Sequence, residues 1–99
     1  MREIAMELDN MESRTYIIGR EGHIYLDDKT VSKQHAEIQI PNGEVYLRDL
    51  ESTNGTYLVK NNRLVAFAEG YVQLNQPVVI GNKQYTIKKL LEMAGAVAA

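Results

Sequence analysis

Three short polar segments carry the side chains that could do chemistry in this 99-residue chain. They are GRE at 19–21, TVSKQHAEI at 30–38 and STNGT at 52–56. Arg20 can hold two oxygens of one anion in a fork, and the hydroxyls of Ser32 and Thr53 can donate hydrogen bonds to further oxygens. Asn54 offers both a donor and an acceptor, which suits an extended peptide backbone. This donor-rich set complements a phosphate group carried on a peptide.

Catalysis and metal binding are poorly supported by the same residues. Ser32 and His35 could suggest a nucleophile and its base, but side chains at i and i+3 of an extended strand point to opposite faces. No acidic residue is obviously placed to orient the imidazole. His23 and His35 lack a third ligand at a spacing typical of metal sites. The sequence therefore predicts neither an enzyme nor a bound metal or cofactor, and His23 is expected to be an exposed or partly packed residue at a strand start.

The dipeptide Asn54-Gly55 permits two other interpretations. Asn-Gly is the strongest short-range signal for a tight hairpin turn. NGT also matches the acceptor pattern for N-glycosylation, but the N-terminal MREIAMELDN lacks the apolar core of a secretion signal. A turn and a ligand-facing loop are compatible, because Gly55 can let the chain bend while the Asn54 side chain faces a ligand.

Composition narrows the class of partner. The net charge is −2 and 7% of the residues are aromatic, with no Trp, whereas a nucleic-acid-binding domain usually has a basic face or stacking aromatics. The chain has no cysteine, which excludes disulfides and thiolate zinc sites and favours a reducing compartment. No apolar run approaches the ~18 residues of a membrane span. We therefore expect a cytoplasmic protein that binds neither nucleic acid nor membranes.

Short apolar or alternating runs separated by turn residues predict an all-β chain of about ten strands. The runs are 3–8, 15–20, 23–28, 35–40, 44–50, 56–59, 63–67, 71–74, 77–81 and 84–90. The clearest alternation is HAEIQI at 35–40, where Ala36, Ile38 and Ile40 are predicted to face the core. Glu37 and Gln39 are predicted to face the solvent. PNG at 41–43 predicts a hairpin, and KNN at 60–62 predicts a second turn.

The C-terminal end differs from the rest of the chain. LLEMAGAVAA at 90–99 contains good helix formers but is short and interrupted by glycine. We predict a domain over residues 1–90 and a tail over residues 91–99 that is a short helix or a linker.

Taken together, the three polar segments resemble the forkhead-associated (FHA) domain. That family has Gly-Arg, then Ser-x-x-His, then a Ser/Thr-x-Asn-Gly-Thr-like segment. In that order the chain has Gly19-Arg20, Ser32-Lys33-Gln34-His35 and Ser52-Thr53-Asn54-Gly55-Thr56. Asp49 and VVIGN at 78–82 add to the resemblance, which covers essentially the whole chain. It implies a twisted two-sheet β-sandwich of about eleven strands, SMAD/FHA-like, with its ligand loops at one end.

The resemblance also implies a function and a role for each motif residue. The function is that of a phosphothreonine-dependent protein–protein interaction module in signalling, whose partner is a phosphothreonine-containing protein or peptide linked to a Ser/Thr kinase. The phosphopeptide-binding residues would be Arg20, Ser32, Lys33, Thr53 and Asn54. The residues that support the binding loops would be Gly19, His35 and Gly55. In the family the histidine fastens the loops together and does not touch the ligand.

A second function stays open for a chain of this family. The FHA fold could serve as a structural, oligomerisation or scaffold component that does not depend on phosphate. Arg20, Ser32, Thr53 and Asn54 are all present, and a purely structural role would not require all four. The sequence therefore favours the phosphothreonine-dependent module.

Overall fold

Alternating apolar and polar residues build two β-sheets that enclose one core. The computed structural model describes residues 14–96, and these residues contain nine strands. The first sheet consists of β1 (Thr15–Gly19), β2 (Ile24–Tyr25), β3 (Ala36–Gln39), β4 (Val45–Asp49) and β7 (Glu69–Val72). The second consists of β5 (Thr56–Lys60), β6 (Arg63–Ala66), β8 (Pro77–Ile80) and β9 (Lys83–Thr86). The strand orders are β2-β1-β3-β4-β7 and β6-β5-β8-β9.

This architecture confirms the predicted all-β, two-sheet sandwich. The strand count is nine over the described residues, not the ten expected from the apolar runs or the eleven implied by the family. The predicted run 3–8 lies outside the described residues. No helix in residues 14–96 is long and apolar enough to cross a bilayer.

The core lies between the sheets and is filled by the inward-facing residues of each strand. Ala36, Ile38 and Ile40 are buried as the alternation predicted. Ile38 lies directly opposite Leu47 in the antiparallel register of β3 and β4, and Leu58 packs into the same cluster from the second sheet. Each fully buried aliphatic side chain of this kind contributes about 1.5–3 kcal/mol.

Glu37 departs from the predicted alternation. The prediction placed it in solvent, but the residue is only 9% exposed. Its carboxylate lies 3.1 Å from Arg48 Nε, and the two residues are directly opposite each other on β3 and β4. The long side chain of Arg48 on the neighbouring strand thus shields Glu37 from solvent on the outer face of the sheet. Gln39, also predicted in solvent, is half-buried.

The predicted strand at 84–90 is wrong in its last four residues. Strand β9 ends at Thr86, and a helix, α1, spans Ile87–Met93. Thr86 is the N-cap, because its side-chain oxygen accepts a hydrogen bond of 3.1 Å from the Lys89 amide. Ile87, Leu90 and Leu91 are buried, and their i, i+3, i+4 spacing is that of a helix face. Helix α1 therefore extends the packed core beyond residue 90, the predicted end of the domain.

Two predicted turns are present. A short 3₁₀ turn at Pro41–Gly43 joins β3 to β4, and Asn61 and Asn62 join β5 to β6 with φ angles of 52° and 62°. Positive φ at both central residues is the signature of a type I′ hairpin, and asparagine tolerates it better than most residues.

The segment between β4 and β5 is not a hairpin. Strand β4 pairs with β3 and β7, whereas β5 pairs with β6 and β8. Residues 50–55 therefore cross from one sheet to the other, and the tight-turn interpretation of Asn54-Gly55 does not hold. This crossing brings the STNGT segment to the ends of strands of both sheets.

Candidate functional site

The first two polar segments are joined through their backbones. The Arg20 amide donates to the Ser32 carbonyl over 3.2 Å, and the Glu21 amide donates to the Lys33 carbonyl over 3.0 Å. Gly19 makes this approach possible, because a Cβ at that position would lie 2.2 Å from the Lys33 carbonyl oxygen. Only glycine fits so close to another backbone.

The Arg20 side chain is exposed but anchored. Its Nε donates a 2.7 Å hydrogen bond to the Val31 carbonyl, which uses one of the five guanidinium N–H groups. The residue as a whole is exposed, and the terminal nitrogens of a guanidinium can hold two oxygens of an anion. The bond to Val31 limits the rotamers of a long side chain and so reduces the entropy lost on binding.

His35 ties the second polar segment to the third. The ring is fully buried, its Nδ1 accepts a 3.0 Å hydrogen bond from the Ser32 amide, and its Nε2 lies 2.9 Å from the Gly55 carbonyl. Because Nδ1 accepts from an N–H group and a carbonyl can only accept, the ring proton sits on Nε2 and is donated to Gly55. The buried histidine thus connects the Ser32 loop to the Gly55 loop through its two ring nitrogens.

Asp49 organises the crossing between the sheets. Its carboxylate accepts hydrogen bonds from the amide and hydroxyl of Ser52, at 3.1 and 2.6 Å, and from the Thr56 hydroxyl at 2.7 Å. The Ser52 hydroxyl oxygen in turn accepts a 3.0 Å hydrogen bond from the Gly55 amide. Burial raises the pKa of Asp49 and is the largest single influence, but the hydrogen bonds from Ser52 and Thr56 together outweigh it, so the pKa is lowered.

Two hydrogen bonds that involve the side chains of Ser32 and Asn54 also join the last two segments. The Thr53 amide donates a 3.0 Å hydrogen bond to Ser32 Oγ. The Ser32 hydroxyl therefore acts as an acceptor within the protein, and its own proton can still be donated to a ligand. Asn54 Nδ2 donates a 2.9 Å hydrogen bond to the Thr30 carbonyl.

The charges around this cluster are mixed. Lys33 Nζ lies 3.8 Å from a Glu21 carboxylate oxygen, and both side chains are more than half exposed. An exposed ion pair at this distance contributes little to stability, so Lys33 can break its contact with Glu21 and pair with an anion that interacts more strongly. The Asp28 carboxylate accepts hydrogen bonds from the amide and the hydroxyl of Thr30.

The structure brings all the predicted site residues into one cluster of three loops. Arg20, Lys33, Thr53 and Asn54 are exposed and Ser32 is half-buried. The predicted support residues occupy the contacts between the loops, and Gly55 has a φ of +85° that favours glycine.

Sequence reasoning missed several supporting residues of this site. These are Gly22, Asp28, Thr30, Ser52 and Gly81. A Cβ at Gly22 would lie 2.2 Å from the Ile17 carbonyl, and Asp28-x-Thr30 is a local side-chain-to-backbone pattern that could have been recognised. A Cβ at Gly81 would lie 2.6 Å from Thr30 Oγ1. This contact joins residues about fifty positions apart in the sequence, so no local pattern predicts it.

Comparisons of the sequence and of the fold with known proteins point to one domain family. The sequence profile of the FHA domain matches residues 16–86. Over 55 residues the chain is 44% identical to the oxoglutarate dehydrogenase inhibitor of Corynebacterium glutamicum, covering 54% of this chain and 38% of that protein. Over 35 residues it is 51% identical to the glycogen accumulation regulator GarA of Mycobacterium tuberculosis, covering 35% of this chain and 22% of GarA. The matches thus span well under half the length of these relatives.

Solved structures of FHA domains share the fold. One, studied for its phosphothreonine-dependent interactions, superposes with a TM-score of 0.64 and 30% identity over 75% of each chain. The FHA domain of FhaA, solved in complex with the intracellular domain of Rv3910, gives the same TM-score and identity over 76% of this chain and 80% of that one. With a family match over residues 16–86, the chain belongs to the FHA domain family.

Proposed function

We propose that this chain is a phosphothreonine-dependent protein–protein interaction module that binds phosphorylated peptide segments through its three linked loops. The observation that carries the proposal is the clustering of Arg20, Ser32 and Asn54 on loops that His35 and the backbone bonds of Gly19–Glu21 hold together. Donors fixed in this way need little reorganisation when an anion arrives.

Each side chain has a separate part in the proposed complex. The Arg20 fork and the Ser32 hydroxyl donate to phosphate oxygens, with Thr53 beside them and Lys33 adding charge at the rim. Asn54 hydrogen-bonds the peptide main chain next to the phosphothreonine. A hydrogen bond to a charged group contributes roughly 1.5–3 kcal/mol, and three or four of them exceed an association cost of at least ~4 kcal/mol. The expected result is a reversible complex of moderate affinity, suited to signalling.

The proposed role is binding and not catalysis. The relatives include two proteins named for regulatory roles, the oxoglutarate dehydrogenase inhibitor and the glycogen accumulation regulator GarA. We propose that the partner is a protein phosphorylated on threonine by a Ser/Thr kinase. Because protein kinases act where ATP is available, we propose that the interaction takes place in the cytoplasm.

The experiment that tests this proposal is a calorimetric titration with a degenerate phosphothreonine peptide library. Phosphoserine and unphosphorylated libraries serve as ligand controls. The Arg20→Ala variant is expected to lose at least tenfold in affinity, because one charge-assisted fork is removed. Arg63→Ala is the matched control: it removes the same charge at the β5–β6 turn, the far end of β5 from Thr56, and is expected to bind like the parent protein.

Two results would contradict the proposal. Equal affinity of the Arg20→Ala variant and the parent protein would show that the phosphate lies elsewhere. No binding of the folded protein to any library would favour the phosphate-independent scaffold.

A further inference from the structure

Asn54, the residue proposed to bind the peptide main chain, is itself held by Thr30. Its Nδ2 donates a 2.9 Å hydrogen bond to the Thr30 carbonyl. A carbonyl oxygen can only accept, so the amide nitrogen and not the amide oxygen must face Thr30. The Oδ1 of Asn54 is thereby turned away from Thr30 and is available to accept an N–H of a bound peptide.

Thr30 is in turn fixed by Asp28. One oxygen of the Asp28 carboxylate, Oδ1, accepts both the Thr30 amide at 2.8 Å and the Thr30 hydroxyl at 2.6 Å. The Asp28 carbonyl also accepts a 3.0 Å hydrogen bond from the Val31 amide. These bonds close a short turn, and the Thr30 carbonyl direction follows from that turn.

The β8–β9 connection also packs against Thr30, next to the Asp28 carboxylate. A Cβ at Gly81 would lie 2.6 Å from Thr30 Oγ1 and 2.7 Å from a Val31 methyl carbon. Only a glycine, with its φ of +70°, lets this connection approach so closely. The Thr30 hydroxyl is therefore bonded to the Asp28 carboxylate and packed against the Gly81 backbone, which lies close to the same carboxylate.

We propose that Asp28 is a positioning residue for peptide binding, which acts through Thr30 to set the orientation of the Asn54 amide. The proposal rests on the proposed function of the site. It assigns to Asp28 a role in binding without a contact to the ligand. The affinity for the peptide backbone then depends on the Asp28 carboxylate.

Simple electrostatics gives the opposite expectation for this carboxylate. Asp28 brings a negative charge close to a loop that receives a phosphate, so removal of that charge should strengthen binding if charge alone mattered. If Asp28 acts as a positioning residue, its removal weakens binding. The sign of the change therefore separates the two accounts.

The test compares four forms of the full chain: the parent, Asp28→Ala, Asp28→Asn and Asp27→Ala. Asp28→Ala is expected to bind a phosphothreonine peptide about 3- to 10-fold more weakly, the loss typical of one well-placed hydrogen bond. Asp28→Asn keeps an acceptor oxygen for Thr30 and is expected to restore most of the affinity. Asp27→Ala, the exposed neighbouring carboxylate, removes the same charge and is expected not to weaken binding.

Two readouts separate positioning from a general loss of structure. Free phosphothreonine lacks the flanking peptide backbone, so its affinity is expected to be unchanged by Asp28→Ala. In NMR spectra of the unbound protein, the side-chain amide protons of Asn54 are expected to exchange faster with water in Asp28→Ala than in the parent. This second readout does not require any ligand, so it tests the relay even if the proposed function fails.

Opposite results would overturn the inference. Tighter peptide binding by Asp28→Ala and Asp28→Asn alike would show that only the charge matters. An equal loss for free phosphothreonine and for the peptide would assign Asp28 to the stability of the whole site. Unchanged exchange of the Asn54 side-chain amide would show that Asp28 does not act through Asn54.

Discussion

At the scale of single residues, the geometry of the candidate site depends on residues that connect its three loops. His35 and Asp49 are each bonded to two or more positions of the binding loops. Gly19 lets two loop backbones meet. A polar network of this kind rigidifies a site when every member is satisfied, and it is costly when one partner is removed.

Asp49 gives a prediction about acid stability. Its pKa lies below the ordinary value of 3.8, so the folded state is stabilised above that pH, and this stabilisation is lost as the pH falls through the lower folded value. Asp49→Ala is expected to lower the free energy of unfolding at pH 7 by about 2 kcal/mol, because Ser52 and the buried Thr56 lose their acceptor. Urea unfolding between pH 7 and pH 2 measures both effects.

The free energies of unfolding of the parent protein and of Asp49→Ala are expected to converge at low pH. Once the carboxyl of the parent is protonated, the stability difference between the two proteins is expected to shrink. A difference that stays constant from pH 7 to pH 2 would mean that the charged form of Asp49 does not stabilise the loop.

At the scale of secondary-structure elements, helix α1 belongs to the core of the sandwich. Leu91 is 1% exposed, whereas Met93 in the same helix is 42% exposed. Leu91→Ala is expected to cost about 2–5 kcal/mol because it leaves a cavity, while Met93→Ala is expected to change the free energy of unfolding by about 0.5 kcal/mol or less. Thermal or urea unfolding of the two variants makes the comparison, and equal effects would mean that the helix does not pack as described.

The elements also show how far sequence could predict this molecule. Alternation predicted an all-β chain and the inward face of β3, because burial on one side imposes a period of two. The two-sheet sandwich was implied by the family resemblance. Alternation failed to predict the helix after Thr86, because Ile87 fits both a strand alternation and a helix face. The cap at Thr86 favours the helix. Alternation failed at Glu37 because a residue on a neighbouring strand, Arg48, covers it.

The motif residues that gather in the candidate site were predictable from the sequence, but the hydrogen bonds that connect them and several supporting residues were not. The motif residues from Arg20 to Asn54 could be named from the family resemblance. The Asp28–Thr30–Asn54 relay and the Gly81 contact depend on which loops meet in space. Those meetings are set by the packing of two sheets and leave no local pattern in the chain.

At the scale of the whole molecule, a chain of net charge −2 has to attract a dianion through a local group of donors. Long-range attraction is weak in that case, and binding depends on short contacts that salt screens only in part. The phosphate of phosphothreonine loses charge as the pH falls through about 6. Affinity is therefore expected to decrease between pH 7.5 and pH 5.5 in calorimetric titrations, and a pH-independent affinity would argue against a contact with the doubly charged phosphate.

The most direct test of the central claim is an NMR titration of the labelled protein with a phosphothreonine peptide. The account predicts shifts of the backbone amides in residues 19–22, 30–34 and 52–55, with no comparable change in β6 or α1. The unphosphorylated peptide is expected to produce none of these shifts. Shifts confined to other surfaces, or the same shifts with both peptides, would contradict the assignment of these three loops as a phosphothreonine-binding site.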